Sequence, residues 1–276
     1  MINDAVRGYF GFERLPFDRS IPVGALFASA SHNEAAGRIS YGIDTRQITV
    51  ITGEVGAGKT VAARAAVARL DASRHQLITI PNPQVGARGI HHAVVAALGG
   101  VPRVHHATLI PQAAGHLAAE LAERGRLPVL LIDEAHLLSH DQLEAIRMLT
   151  SAQLDSASPL AVLLLGQPQL RASMRLGVLA ALDQRIGVRY AMAAMTPGET
   201  VAYLQHHTKL AGRSDQLFSD DAAELIHQAG RGFPRAVNRL AAAGAPRVWW
   251  RLDSPQMLWS GWPLSSTVPP PGGTTV

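Results

Sequence analysis

Two runs of the chain are apolar at every position, Val129-Leu130-Leu131-Ile132 and Leu160-Ala161-Val162-Leu163-Leu164-Leu165. A strand with no polar alternation has both of its faces buried, as in the middle of a parallel sheet. Three further strand-like runs cover 47–52, 76–80 and 187–193, the second stopped by Pro81-Asn82-Pro83. Between them, apolar positions at helical spacing predict helices over 31–42, 61–70, 89–98, 108–124 and 139–153, with helical turns over 169–182. Ser31 with Glu34 reads as an N-cap pair, and Gly99-Gly100 and Gly125 read as stops. Strands alternating with helices predict right-handed crossovers and an α/β fold, an αβα sandwich around one parallel sheet.

From Thr196 the pattern turns to helices alone. Thr196-Pro197-Gly198-Glu199 combines an N-cap, a proline in the first turn and a capping-box glutamate. Ser219-Asp220-Asp221 caps a second helix as far as 229, stopped by Gly230, and Phe233-Pro234 opens a third near Arg235. The chain thus divides into a collar rich in aromatics with a first helix (1–46), the sheet domain (47–195), a small helical domain (196–245) and a tail (246–276). All four tryptophans, Trp249, Trp250, Trp259 and Trp262, fall in that tail among prolines, and it is expected to be poorly ordered. The chain has no internal repeats.

Composition narrows the classes. The 276 residues contain no cysteine, which excludes disulfides, thiolate metal sites and cysteine nucleophiles, and suits a cytoplasmic protein. No run reaches membrane-spanning length and Met1-Ile2-Asn3-Asp4 does not begin a signal peptide. The formal charge of +4 permits nucleic-acid binding without requiring it. Between Gln167 and Arg189 stand Arg171, Arg175, Arg185 and Arg189 against one acid, Asp183. That run is either a solvated helical face or a face that meets phosphate, from DNA or a neighbouring subunit's nucleotide.

The chemistry lies in Gly53-Glu54-Val55-Gly56-Ala57-Gly58-Lys59-Thr60, preceded by a strand and followed by a helix that starts near Val61. Its spacing is that of a phosphate loop: glycines let successive N–H groups curl around a β-phosphate at a helix N-terminus. Lys59 would reach the β- and γ-phosphates and the Thr60 hydroxyl would ligate Mg2+. The second half is Asp133-Glu134, at the C-terminal tip of a fully apolar strand. Adjacent strand residues point oppositely, so Asp133 would serve the Mg2+ shell and Glu134 would activate the water that attacks the γ-phosphate. Gln167, at the tip of the next apolar strand, would help place that water or simply open a turn. His136 and His140 could share a helix face, yet no third ligand follows at metal-site spacing, and the histidines read as ordinary ones.

Taken together, these pieces resemble an AAA+ ATPase with a helical lid. Within that group the chain looks most like the secretion ATPase ExeA (GspA) family and the related transposition helpers of the TniB, TnsC and IstB type. The resemblance spans about residues 8–240. Its marks are Tyr9-Phe10-Gly11-Phe12 with Pro16-Phe17, Tyr41-Gly42-Ile43, Gly53–Thr60 and the stretch from Leu131 to His136. To these add Leu165-Gly166-Gln167-Pro168, Gln184-Arg185-Ile186, and Gly232-Phe233-Pro234-Arg235 with Asn238.

The resemblance implies ATP and Mg2+ as ligands, Gly53 to Val61 as the nucleotide-binding stretch, and Gln167 as the sensor-1 residue. It implies Arg185 as an arginine finger offered in trans, hence a homo-oligomer, and Arg235 as the sensor-2 arginine of the lid. Plain alternatives are a surface salt bridge for Arg185, helix N-terminal solvation for Arg235 and core packing instead of an adenine pocket for the collar aromatics. The roles that follow are a transposition helper acting with double-stranded DNA and a transposase, a secretion ATPase with a membrane partner, or a nucleotide-dependent oligomerisation switch. The family's last lid helix continues where this chain has Ala245-Pro246, so a divergent or frameshifted C-terminus is expected.

Overall fold

The computed structural model describes residues 7–18, 21–80, 83–151 and 158–248. Helix α1 (Ala30–Asp44) leads into β1 (Ile48–Thr52), and α2 (Lys59–Val67) follows the phosphate loop. Strand β2 (His75–Ile80) is followed by α3 (Gly86–Ala97) and α4 (His106–Ala122). Then come β3 (Leu127–Ile132), α5 (His140–Leu149) and β4 (Ala161–Gly166). Two short helices, α6 (Pro168–Met174) and α7 (Ala180–Asp183), precede β5 (Ile186–Ala191). All strand pairs are parallel, in the order β2-β3-β4-β1-β5. The α/β architecture is therefore the expected one.

The apolar runs are explained by which way alternate residues point. Leu130, Ile132, Val162 and Leu164 turn to one face, under Val94, Leu117 and Ile146. Val129, Leu163 and Leu165 turn to the other, under Ala35, Ile39, Ala62 and Ala66. With helices on both faces, neither set meets water, and each buried Leu or Ile contributes roughly 2 kcal/mol. The cap of α1 differs from expectation: Ser29, not Ser31, accepts from His32 N–H at 3.2 Å. Ser31 lies inside the helix, where its Oγ accepts from Ala193 N–H at 3.0 Å and pairs with the Tyr190 hydroxyl at 3.1 Å. A contact across the fold thus claimed the serine that local pattern assigned to the cap.

The helical part comprises α8 (Pro197–Leu210), α9 (Asp220–Gly230) and α10 (Pro234–Val248). Thr196 and Glu199 form the reciprocal capping box, and the second Glu199 oxygen accepts from Ala30 N–H at 2.8 Å, joining the starts of α8 and α1. Helix α10 runs through Pro246 to Val248 instead of breaking at Ala245-Pro246. A proline close to a helix end removes one hydrogen bond without ending the helix. The tail from 249 onwards, with its four tryptophans, lies outside the described residues.

The collar is packed onto this helical part. Phe17 stacks on His207 with ring centroids 5.1 Å apart, and Phe27 meets Tyr203 edge-on at 5.4 Å. Glu13 N–H donates to Ala211 O at 2.9 Å, and Arg14 Nε to Leu210 O at 2.6 Å. Phe17 is therefore buried in the core of the junction between the collar and the helical part, and the half-buried Phe27 packs against it. Burial lowers the His207 pKa to about 4, helped by the neighbouring charges of His206 and Arg14. The unfolded chain protonates this ring below about pH 6.5, the folded lid only near pH 4. Stability is thus expected to fall as pH drops through that window, by about 3 kcal/mol at its foot. Urea midpoints of wild type and His207→Phe, compared between pH 7.5 and 4, should converge on acidification; parallel curves would refute the assignment.

Candidate functional site

Parallel strands leave all their C-terminal tips on one edge of the sheet, and β4 lies between β1 and β3. The segments that follow these three strands therefore converge, at the place where such sheets bind ligands. After β1 the loop Gly53–Thr60 curls with Gly56 and Gly58 at φ of +85° and +96°. Only glycine suits Gly56 on a second count: a Cβ there would stand 2.7 Å from Arg235 Cβ. Glu54 and Val55 are exposed at the crest of the loop, Ala57 is buried and Val61 half-buried. Helix α2 begins on the curl with no side chain capping its first N–H groups, which leaves them to an anion.

Lys59 is 7% exposed, and its Nζ donates to Gly53 O at 2.9 Å and Glu54 O at 3.1 Å. Burial lowers its pKa, while the carboxylates of Glu134 and Asp133 pull the other way. A buried ammonium held by two carbonyl dipoles is under-compensated, so a phosphate that meets it gains strongly.

At the tip of β3, Asp133 Oδ2 accepts from Thr60 Oγ1 at 2.7 Å and its Oδ1 accepts from Glu134 N–H at 2.8 Å. Glu134 is held there in the left-handed region, at φ 52° and ψ 34°. That conformation costs a non-glycine residue about 1 kcal/mol and persists only where its surroundings impose it. Thr60 and Asp133 are both oxygen donors, which fits Mg2+. Among the described residues no cluster of three His, Asp or Glu side chains could hold a metal. A cation at this place would thus draw the rest of its shell from substrate and water, as Mg2+ does.

Gln167 sits at the N-cap position of α6 without capping it. Its Nε2 lies 2.9 Å from His136 Nε2, and His136 Nδ1 lies 3.4 Å from Glu134 Oε2. His136 and His140 do not share a helix face. His136 belongs to a 3-10 turn, Ala135–Leu137, and the chain is extended at Leu138 before His140 opens α5. His136 is the site residue that sequence reasoning missed. Its signal was its place two residues after Glu134; the contact with Gln167, 31 residues on, had none.

The two arginines part company. Arg235, at the start of α10, has its N–H on Gly56 O at 3.3 Å, and its charge bears on Lys59. Arg185 precedes β5, whose first residue, Ile186, pairs with Ile48 at the start of β1. It is exposed and stands one strand length, about 16 Å, from its own phosphate loop. Arg171 and Arg175 are exposed as well, whereas Arg189 is bound to Asp183, by its Oδ1 at 2.8 Å and by its carbonyl.

Residues 43–174 match the model of the AAA domain family. The chain is 32% identical over 234 residues to general secretion pathway protein A of Aeromonas hydrophila, covering 83% of this chain and 42% of that protein. It therefore spans less than half the length of this relative. Among solved structures it is similar to Cdc6p of Pyrobaculum aerophilum, with TM-score 0.63, 17% identity and coverage of 83% and 64% of the two chains. The ORC2 protein of Aeropyrum pernix gives TM-score 0.61, 17% identity and coverage of 83% and 65%. At these identities the two structures bear on the fold alone.

Proposed function

On the premise that residues 43–174 match an AAA domain on a parallel αβα sheet, we propose that this protein binds and hydrolyses ATP and oligomerises to do so. The observation that carries the reading is the Thr60–Asp133 contact beside a buried Lys59, on one edge with Glu134 and Gln167. Gly53, Glu54, Val55, Gly56, Ala57, Gly58 and Val61 form or flank the cradle, and Lys59 neutralises the terminal phosphates. Thr60 and Asp133 would hold Mg2+, which would offset the charge of the phosphates. Glu134 accepts a proton from the attacking water, and Gln167 orients that water. Arg235 closes from the lid. Arg185, too far to serve its own loop, is offered to a neighbouring subunit, so that hydrolysis waits on assembly.

The identity to general secretion pathway protein A supports a secretion ATPase that works on a membrane partner. Among the described residues no helix is long and apolar enough to cross a membrane. The transposition-helper reading, with DNA and a transposase, draws on the exposed Arg171 and Arg175. Phosphate release in a single turnover separates the roles. We expect hydrolysis that rises more steeply than linearly with protein concentration and is unchanged by duplex DNA. Stimulation by DNA that fades with salt would move the role to transposition. A mixture of Lys59→Ala and Arg185→Ala subunits should recover turnover that neither shows alone; no recovery would remove Arg185 from the site. Oligomers that form with ATP yet show no turnover would leave a nucleotide switch.

A further inference from the structure

The geometry points to His136 as a positioning residue that joins Gln167 to Glu134, an inference that rests on the ATP-hydrolysis reading. The ring is placed by the 3-10 turn Ala135–Leu137 and by the close pass of the β4 tip. A Cβ on Gly166 would stand 3.2 Å from His136 N, so glycine lets the two tips meet. The imidazole is then enclosed, its side chain 12% exposed, between the two residues at its two nitrogens.

The contacts select a tautomer. An amide nitrogen only donates, so at 2.9 Å Gln167 Nε2 donates to His136 Nε2, which must be bare. The neutral ring then carries its proton on Nδ1, buried, with no hydrogen bond but with the Glu134 carboxylate 3.4 Å away. Turning the Gln167 amide over would place its carbonyl on Nε2–H and set the bare Nδ1 lone pair against a carboxylate. That arrangement repels, so the chain amide to imidazole to carboxylate has one sense of direction. While Gln167 donates to the ring, Nδ1–H faces Glu134 and holds one carboxylate oxygen in place, which leaves the other free to meet water. The contact with Gln167 therefore bears on where Glu134 points, and an imidazole that only filled space would have no such effect.

Nitrogen-15 NMR of the imidazoles at pH 8, without nucleotide, tests the link directly, with His136 assigned from the signal lost in His136→Gln. We expect the Nδ1–H tautomer in wild type and a larger share of Nε2–H in Gln167→Ala, where the donor that keeps Nε2 bare is gone while the Glu134 carboxylate still favours Nδ1–H. An Nε2–H or doubly protonated ring in wild type, or a tautomer indifferent to Gln167→Ala, overturns the proposal. In turnover, His136→Ala and Gln167→Ala should each lower kcat about tenfold with ATP affinity unchanged, and the double variant should be no slower than the slower single. Additive losses count against the link. His136→Gln, which can still bridge both neighbours, should recover part of the rate and serves if the alanine variant is unstable. Absence of turnover in wild type would sink the ATP-hydrolysis reading, while the tautomer still decides the link.

Discussion

Lys59→Met is expected to abolish ATP binding at micromolar nucleotide while leaving the nucleotide-free protein at least as stable. The two effects have one origin. Lys59 is a buried ammonium whose pKa burial has lowered, and two backbone carbonyls, Gly53 O and Glu54 O, are its hydrogen-bond acceptors. Methionine has a similar length and no charge to desolvate, so the free protein loses little and sheds a desolvation cost. The polyphosphate loses the cation that meets it in a water-poor cradle. Removing one partner of such a pair costs about 2–5 kcal/mol, or roughly 30- to 4000-fold in affinity. Thermal melts with titrated ATP read both quantities: wild type should climb with ATP concentration, and the variant should start level and stay flat. A variant that still climbs with a similar midpoint would mean that phosphate is held elsewhere than on this loop.

Much of this arrangement was legible in the chain because its causes are local. A run of apolar residues with no alternation demands two covered faces, and Val129–Ile132 and Leu160–Leu165 found them as neighbouring central strands. Thr196 and Glu199 cap α8 through atoms three residues apart, so their pattern and their geometry coincide. The misreadings share a different cause. Ser29 and Ser31 are locally equivalent candidates for the α1 cap. What separated them was Tyr190 and Ala193, reached only when β5 and the segment after it pack beside α1. His136 was read as an ordinary histidine, but its partners are Glu134 and a glutamine just past the tip of another strand. Arg189, one of the four arginines of the basic run, pairs with Asp183, the one acid of that run. Short-range chemistry was readable; partners brought together by strand order were not.

Strand order also makes Glu134 the most exacting test of the site. Glu134→Gln is expected to keep ATP bound while lowering single-turnover hydrolysis by about 10²–10⁴-fold, the usual worth of a positioned general base. Glutamine preserves the length and shape of the side chain and can keep the left-handed backbone that Asp133 Oδ1 holds through the Glu134 N–H. What it loses is the charge and the capacity to take a proton. Because the Glu134 carboxylate raises the Lys59 pKa, its loss should leave the phosphate cradle slightly more open to an anion, so affinity should hold or rise. Phosphate release over a single turnover, with bound nucleotide counted in parallel, measures both. Turnover within tenfold of wild type would mean that another group activates the water. Glu134→Gly provides the complementary reading: it should relieve about 1 kcal/mol of left-handed strain and raise the melting temperature, yet hydrolyse no faster than Glu134→Gln. A more stable protein with less chemistry is the signature of a residue held in strain for its side chain's task; a glycine variant that is both less stable and fully active would place the function of this position in the fold instead.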